Sequence, residues 1–163
     1  MAIFPIRKHG DPVLREKALI VPKVDGEIKA LAKNMADTMY DAPGMGLAAN
    51  QVGILKRVIA YDIGQGLCTY VNPEIVWVSE ECDEDEEGCL SFYEIRVPIL
   101  RPIKVKLRAK NLDNKEVEFE AEDLESRVLQ HEIDHLNGIV ILDRTSRGEQ
   151  RKALRRLRDL LTI

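Results

Sequence analysis

The chain has few of the residues that would tie it to a disulfide scaffold, a membrane or a nucleic-acid backbone. Its three cysteines, Cys68, Cys82 and Cys89, are odd in number and form no CxxC pair. That usage excludes a disulfide framework and leaves a metal-binding or reactive thiol open. No apolar run extends beyond a few residues, and the opening Met1 to Lys8 lacks the charged-then-apolar order of a signal peptide. The expectation is a cytoplasmic protein without a membrane partner. Nor is there a basic excess: the net charge is −4, so no global positive field argues for DNA binding. Internal repeats, low-complexity tracts and linkers are missing as well. What remains is 163 residues, 45% hydrophobic and 32% charged, the makeup of a folded chain rather than a disordered one. A single domain over 1–163, long enough to bury its own core, is expected.

Histidine is scarce too, with three in all, yet two of them fall in Gln130-His131-Glu132-Ile133-Asp134-His135-Leu136-Asn137-Gly138. Residues four apart share one face of a helix, so His131 and His135 can present both imidazoles to a single divalent cation. Glu132 follows the first of them directly, where its carboxylate can reach a water on that metal and act as a general base.

The remaining pattern is mixed helix and strand. Asp11-Pro12 marks a turn and Val13-Leu14-Arg15 a short ordered piece. Asp25 is placed to cap a helix with apolar positions Ile28, Leu31, Ala32, Met35 and Met39, ending before Pro43. Gly44 to Gln51 reads as a glycine-punctuated loop whose small residues permit close backbone approach. Arg57–Asp62, Thr69–Val71 and Ile75–Val78 read as strands of a meander, broken at Gly64-Gln65-Gly66 and at Asn72-Pro73. The acidic run Asp83 to Glu87 reads as a solvated edge or loop. Arg96–Leu100 is extended. Val105, Leu107 and Ala109 alternate with Lys104, Lys106, Arg108 and Lys110, then Asp113-Asn114 turns the chain into Glu116–Glu120, which predicts a hairpin with a basic row facing an acidic one. A central helix is predicted from about Asp123 to Asn137, stopped by Gly138. Its stripes, Leu124, Val128, His131, His135 and Leu129, Ile133, Leu136, require packing from more than one side. Ile139–Leu142 reads as a short strand. Ser146 and Glu149 form a capping-box pair opening a last helix to Leu161, with an apolar line of Leu154, Leu157 and Leu161. Arg147, Arg151, Lys152, Arg155, Arg156 and Arg158 crowd its polar face.

Two histidines do not complete a hydrolytic metal site. A third histidine three residues beyond Gly138 would mark one zinc peptidase class, but Ile141 holds that position. A thermolysin-like glutamate is poorly served by the acids after Gly138, which are Asp143, Glu149 and Asp159. Cys89, in Glu87-Gly88-Cys89-Leu90-Ser91, reads either as a small buried hydrophobe or as a thiolate ligand reaching the helix from a neighbouring strand.

Three blocks, Gly44 to Gln51, Glu87 to Ser91 and Gln130 to Gly138, resemble the signature motifs of the peptide deformylases in their order and at compatible separations. The resemblance extends to the Ile6–Leu14 segment, the hairpin from Ile103 to Glu120 and the basic last helix of bacterial members. It implies an α+β fold in which antiparallel sheets surround the helix carrying the two histidines. It also implies Cys89, His131 and His135 as ligands of one divalent metal, with Glu132 as base. Gln51 and the backbone N–H of Leu90 are implied as donors to the developing oxyanion. Ferrous iron is the implied metal, and Zn²⁺, Ni²⁺ or Co²⁺ suit the same ligands. The implied substrate is a nascent chain bearing N-formylmethionine. Met45, Gly46, Leu124, Val128 and the stem of Arg127 are candidates for its binding pocket, with Glu87 and Arg96 at the border. On charge alone, the cations of the last helix set against Glu149 and Asp159 read as a solvated face; the resemblance implies the alternative, contact with ribosomal RNA. Two residues depart from the motifs: Asn50 and Tyr93 both stand where the family usually has proline. An endopeptidase and a deformylase-like binding protein are the rival readings, the second disfavoured because a structural metal needs no adjacent base.

Overall fold

The computed structural model describes residues 2–162. Helix α1 (Gly26–Asp41) starts where the Asp25 carboxylate accepts the Ile28 N–H at 3.0 Å, satisfying one of the unpaired donors of the first turn. Its buried residues Ile28, Leu31, Met35 and Met39 cover one face of a five-stranded sheet at Leu47, Val58 and Val71. That sheet has the antiparallel order β1 (Gly46–Ala48), β2 (Val58–Tyr61), β3 (Cys68–Val78), β6 (Lys104–Lys110), β7 (Glu116–Glu122). A second sheet pairs β4 (Cys82–Glu87) with β5 (Val97–Pro102). Helix α2 (Asp123–Leu136) covers the opposite face of the large sheet, and α3 (Arg147–Leu161) follows a short 3₁₀ turn at Ile141–Arg144. The architecture is α+β, with antiparallel sheets around the helix that carries the histidines.

The hairpin register matches the charge alternation: Lys104, Lys106, Arg108 and Lys110 stand opposite Glu122, Glu120, Glu118 and Glu116. Opposed charges on directly facing positions favour this register over a one-residue slip.

Four local expectations are corrected. The loop from Gly44 to Gln51 contains strand β1 and a 3₁₀ turn over Ala49–Val52. The acidic run is strand β4, exposed up to Glu86 and buried at Glu87, so it forms the solvated edge but not a loop. Asn72-Pro73 does not end a strand; it is a bulge inside β3, where Asn72 has φ 51° and the register shifts between Val71 and Glu74. The Asn72 amide there makes two 2.8 Å hydrogen bonds with the Val21 backbone, tying the N-terminal segment to the sheet. Ile139–Leu142 is not a strand, because Asp143 accepts the Val140 N–H through its side chain at 3.0 Å and donates its own N–H to Val140 O, closing the 3₁₀ turn.

Helix α2 is held by apolar packing on one side and by hydrogen bonds on the other. Val128, Leu129, Ile133 and Leu136 meet Ile59, Tyr61, Val105 and Leu107 of the large sheet. Toward the small sheet, Gln130 donates to Pro102 O at 3.0 Å and Arg127 to Ile99 O at 2.9 Å. Its C-terminal carbonyls are not left unpaired: Arg57 donates to Leu136 O at 3.1 Å and to the Asn137 side chain at 2.9 Å. Gly138 then turns away at φ 75°, where a Cβ would lie 2.6 Å from Arg15 O. Helix α3 is capped by Ser146 as expected, but its buried line is Ala153 and Leu157, packed with Val97, Ile99 and Ile141. Leu154 and Leu161, expected in that line, are 42% and 60% exposed.

Candidate active site

The Cys89 Sγ lies 3.3 Å from His135 Nε2, which lies 3.3 Å from His131 Nε2. All three donor atoms fall within 4.8 Å of one another. The two histidines arrive from one face of α2, and the cysteine from the segment between β4 and a 3₁₀ turn at Leu90–Phe92. Metal–nitrogen bonds of about 2.0–2.1 Å and a metal–sulfur bond of about 2.3 Å at tetrahedral angles require separations of about 3.3–3.6 Å, and the two 3.3 Å pairs lie at the short end of that range. Three Lewis bases facing one another in a buried pocket repel unless a cation or proton stands between them. The donor set therefore fits a divalent metal with one position left for solvent or substrate.

The surroundings orient the ligands. His131 Nδ1 is 2.9 Å from a Glu87 carboxylate oxygen, so that nitrogen carries the proton and Nε2 is free to bind metal. Glu87 is itself held by Arg101, at 2.6 and 2.9 Å, and by Arg127 at 2.7 Å. Burial alone would raise the Glu87 carboxyl, but the Arg101 and His131 hydrogen bonds and charges outweigh it and hold it far below the ordinary carboxylate value. Arg101, 4% exposed, continues the chain of charges to Asp134 at 2.9 Å, and Arg144 closes it on the same carboxylate. Burial likewise opposes ionisation of the Cys89 thiol, yet the adjacent His135 and His131 bring it well below a free thiol.

Glu132 is buried beside the ligands. Its Oε1 has no hydrogen-bond partner among the described residues, and burial raises its carboxyl above the ordinary value against the lowering effect of His131 and His135. Gly46 is the residue that leaves it room: a Cβ there would fall 2.5 Å from Glu132 Oε2. Gln51 is fixed by two contacts. Its Oε1 accepts the Ala48 N–H at 3.0 Å, and its Nε2 donates to Ser91 Oγ at 3.1 Å while lying 3.6 Å from Cys89 Sγ. The amide N–H₂ is thereby turned toward the metal side.

A cavity of about 480 Å³ opens over this group. Of the residues singled out from sequence, Met45, Gly46, Gln51, Glu87, Cys89, Leu90, Arg96, Leu124, Val128, His131 and Glu132 line it, and His135 sits behind them almost wholly buried. Leu124 stands at the mouth, 46% exposed. Glu87 touches the cavity, but its carboxylate is committed to His131, Arg101 and Arg127, and the Arg127 guanidinium is spent on Glu87 and two backbone carbonyls. Of the two departures from proline, Asn50 turns away from the cavity, donating to Glu16 O at 2.8 Å. Tyr93 lines it and has φ 54°, which a proline ring fixed near −65° cannot adopt.

Ser91, Arg101, Asp134 and Arg144 were not singled out by sequence reasoning. Ser91 lies in the 3₁₀ turn that follows Cys89, which brings its hydroxyl to the Gln51 amide. Arg101 carries no local signal, because its partners Glu87 and Asp134 are 14 and 33 residues away.

Replacing Gly46 with alanine tests the fit of the Glu132 carboxylate. The added methyl meets the movable end of Glu132, so the fold is retained, while displacement of the carboxylate by about 1 Å lowers kcat by about 10²-fold. Wild-type kcat in a folded Gly46→Ala protein would contradict this fit.

Residues 3–151 match the family model described as polypeptide deformylase. A peptide deformylase of Clostridium botulinum is 50% identical over 147 residues, covering 90% of this chain and 99% of that one. The crystal structure of a peptide deformylase from Thermotoga maritima superposes with a TM-score of 0.88 at 46% identity, covering 90% of this chain and 99% of that one. A peptide deformylase from Legionella pneumophila gives 0.92 at 38% identity, over 99% of this chain and 96% of that one.

Proposed function

Since the chain belongs to the polypeptide deformylase family, metal-dependent enzymes that remove the formyl group from an N-terminal methionine, we propose that Glu132, Gln51 and Leu90 carry the reaction beside a metal held by Cys89, His131 and His135. The observation that carries this assignment is the convergence of the cysteine and two histidine donors beside a buried carboxylate with a free oxygen. When bound, the cation supplies Lewis acidity, making hydroxide available near neutral pH and polarising the formyl oxygen. Glu132 accepts the proton of the attacking water and returns it to the departing amine, so that formate and a free N-terminus result. Its raised carboxyl makes it a stronger base toward the water, and once protonated it still gives the proton up to the departing amine, which is more basic than a carboxylate. The Gln51 amide and the Leu90 N–H donate to the formyl oxygen as charge develops there. Met45, Gly46, Leu124 and Val128 enclose the methionine side chain, while Glu87 orients His131 and Arg96 stays at the rim, where it donates to Glu86 O at 2.9 Å.

Ferrous iron is the proposed metal, because a thiolate with two imidazoles suits it, although the same ligands accept zinc, nickel or cobalt. Anaerobic preparation is expected to yield about one metal per chain. A chelator abolishes formate release and Fe²⁺ restores it; release that persisted in a protein shown to be metal-free would sink the assignment.

The substrate in the cell is proposed to be the nascent N-formylmethionyl chain in the cytoplasm. No helix among the described residues is long and apolar enough to cross a membrane. The six cations of α3 support docking on ribosomal RNA, whose phosphates would be neutralised by them. Removing residues after Arg147 weakens ribosome binding more than turnover of small formyl peptides; unchanged ribosome affinity in a folded truncation would refute the docking.

A further inference from the structure

The N-terminal segment places in the cavity wall one charge that the chemistry above does not use. Lys8 lines the cavity and is half-buried. Its Nζ donates to Leu90 O at 2.7 Å and stands 5.2 Å from the centroid of the Tyr93 ring. The carbonyl takes one of three ammonium donors and the ring face stabilises the charge from another side, leaving donors for a third group. The other two cations of the wall are compensated: Arg127 lies 2.7 Å from Glu87 and Arg96 4.0 Å from Glu86. Among the described residues, no carboxylate comes within ion-pair distance of Lys8. Its position beside the Leu90 turn places it near the reacting end of a bound chain.

Tyr93 accounts for the arrangement. Its left-handed backbone closes the 3₁₀ turn at Leu90–Phe92 on a course that proline cannot follow. The charge of the mouth is uneven, with Lys8 on the N-terminal segment and Asp85, Glu86 and Glu94 on β4 and after Tyr93. A carboxylate that reaches the Lys8 side is attracted, and one that reaches the β4 side is repelled.

We propose that Lys8, held by the Leu90 carbonyl and the Tyr93 ring, is a specificity-determining residue that recognises a carboxylate on the substrate chain just after methionine. The proposal rests on the deformylase reading of the cavity. The carboxylate can be an acidic side chain or, in a short peptide, the C-terminus. Peptides of the form formyl-Met followed by two residues, carrying Asp, Asn or Lys at either position, distinguish the two when each is made as C-terminal amide and as free acid. With metal-replete enzyme at low ionic strength, the amidated Asp peptide at one position is expected to exceed its Asn counterpart by about two- to fivefold in kcat/KM, expressed in KM. High salt reduces the ratio. Lys8→Gln brings it to about one, and Lys8→Arg retains it. A gain seen in free acids but not amides restricts recognition to the C-terminus and overturns the side-chain form. Equal rates for Asp and Asn together with equal rates for free acids and amides, or a ratio unchanged in folded Lys8→Gln, overturn the proposal. So does a proportional loss on all peptides in Lys8→Gln, because that is the signature of a structural prop under Leu90. Formate release from the amidated Asn peptide reports separately on the deformylase reading.

Discussion

Glu132→Gln is expected to lower formate release by about 10²- to 10⁴-fold while leaving the metal content at the wild-type level. The amide keeps the shape of the side chain that fits against Gly46 and removes only its ability to take a proton. The proposed ligands are Cys89, His131 and His135, so the substitution removes none of these donors. Kinetics at saturating formyl-Met-Ala-Ser, together with metal analysis on the same sample, separates the possibilities. Undiminished turnover would remove Glu132 from the chemistry. Loss of metal in step with activity would make it a structural group.

Glu87→Gln produces the second large effect, on stability and on metal affinity together. The carboxylate faces Arg101 and Arg127 in a nearly solvent-free site, and removing its charge leaves Arg127 without an ion-pair partner and Arg101 with Asp134 alone. Breaking a buried pair in this way costs about 3–5 kcal/mol. The sign with pH follows from the depressed Glu87 carboxyl. A carboxyl whose folded value lies below its ordinary 4.5 contributes stability that is fully present above that value and is lost progressively as pH falls through it toward the folded one. In metal-free protein, urea midpoints should therefore differ most between wild type and variant at neutral pH, and the gap should narrow from about pH 4.5 downward. Because Glu87 also fixes the proton of His131 on Nδ1, the variant should bind metal about 10- to 100-fold more weakly. A gap that stays constant with pH, or undiminished metal affinity, would show that the Glu87 network does not support the ligand.

What could be read in advance follows the range of the forces involved. The metal helix was legible because its two histidines and base are local and fall on one face at helical spacing, and because Gly138 has the left-handed conformation that ends it. The hairpin was legible because opposed charges alternate on both strands. The bulge at Asn72 was not, since asparagine before proline signals a turn unless a distant backbone, here Val21, satisfies the amide and the strand continues. The 3₁₀ turn at Ile141–Arg144 was missed for a related reason: a short apolar run resembles a strand until one side chain, Asp143, closes a turn on it. In the site, Cys89 stood open between ligand and core residue on spacing alone, and motif resemblance assigned it. The place of Glu87 at the pocket was legible, but its network was not, because Arg101 and Arg127, which claim its carboxylate, are distant in sequence. The exposed Leu154 and Leu161 show the limit of periodicity, which gives the apolar face of α3 but not the rotation at which Ala153 admits the helix to the small sheet.

A thiolate-ligated site that removes formyl groups rather than cutting chains is tested most directly by its products. Anaerobically prepared, metal-replete protein should be incubated with formyl-Met-Ala-Ser and with unformylated Met-Ala-Ser, measuring formate, free N-termini and peptide fragments. One formate and one new N-terminus per formylated peptide, with the unformylated peptide intact, is the predicted result. Cleavage of either peptide between residues, or no formate from protein shown to hold its metal, would contradict the account.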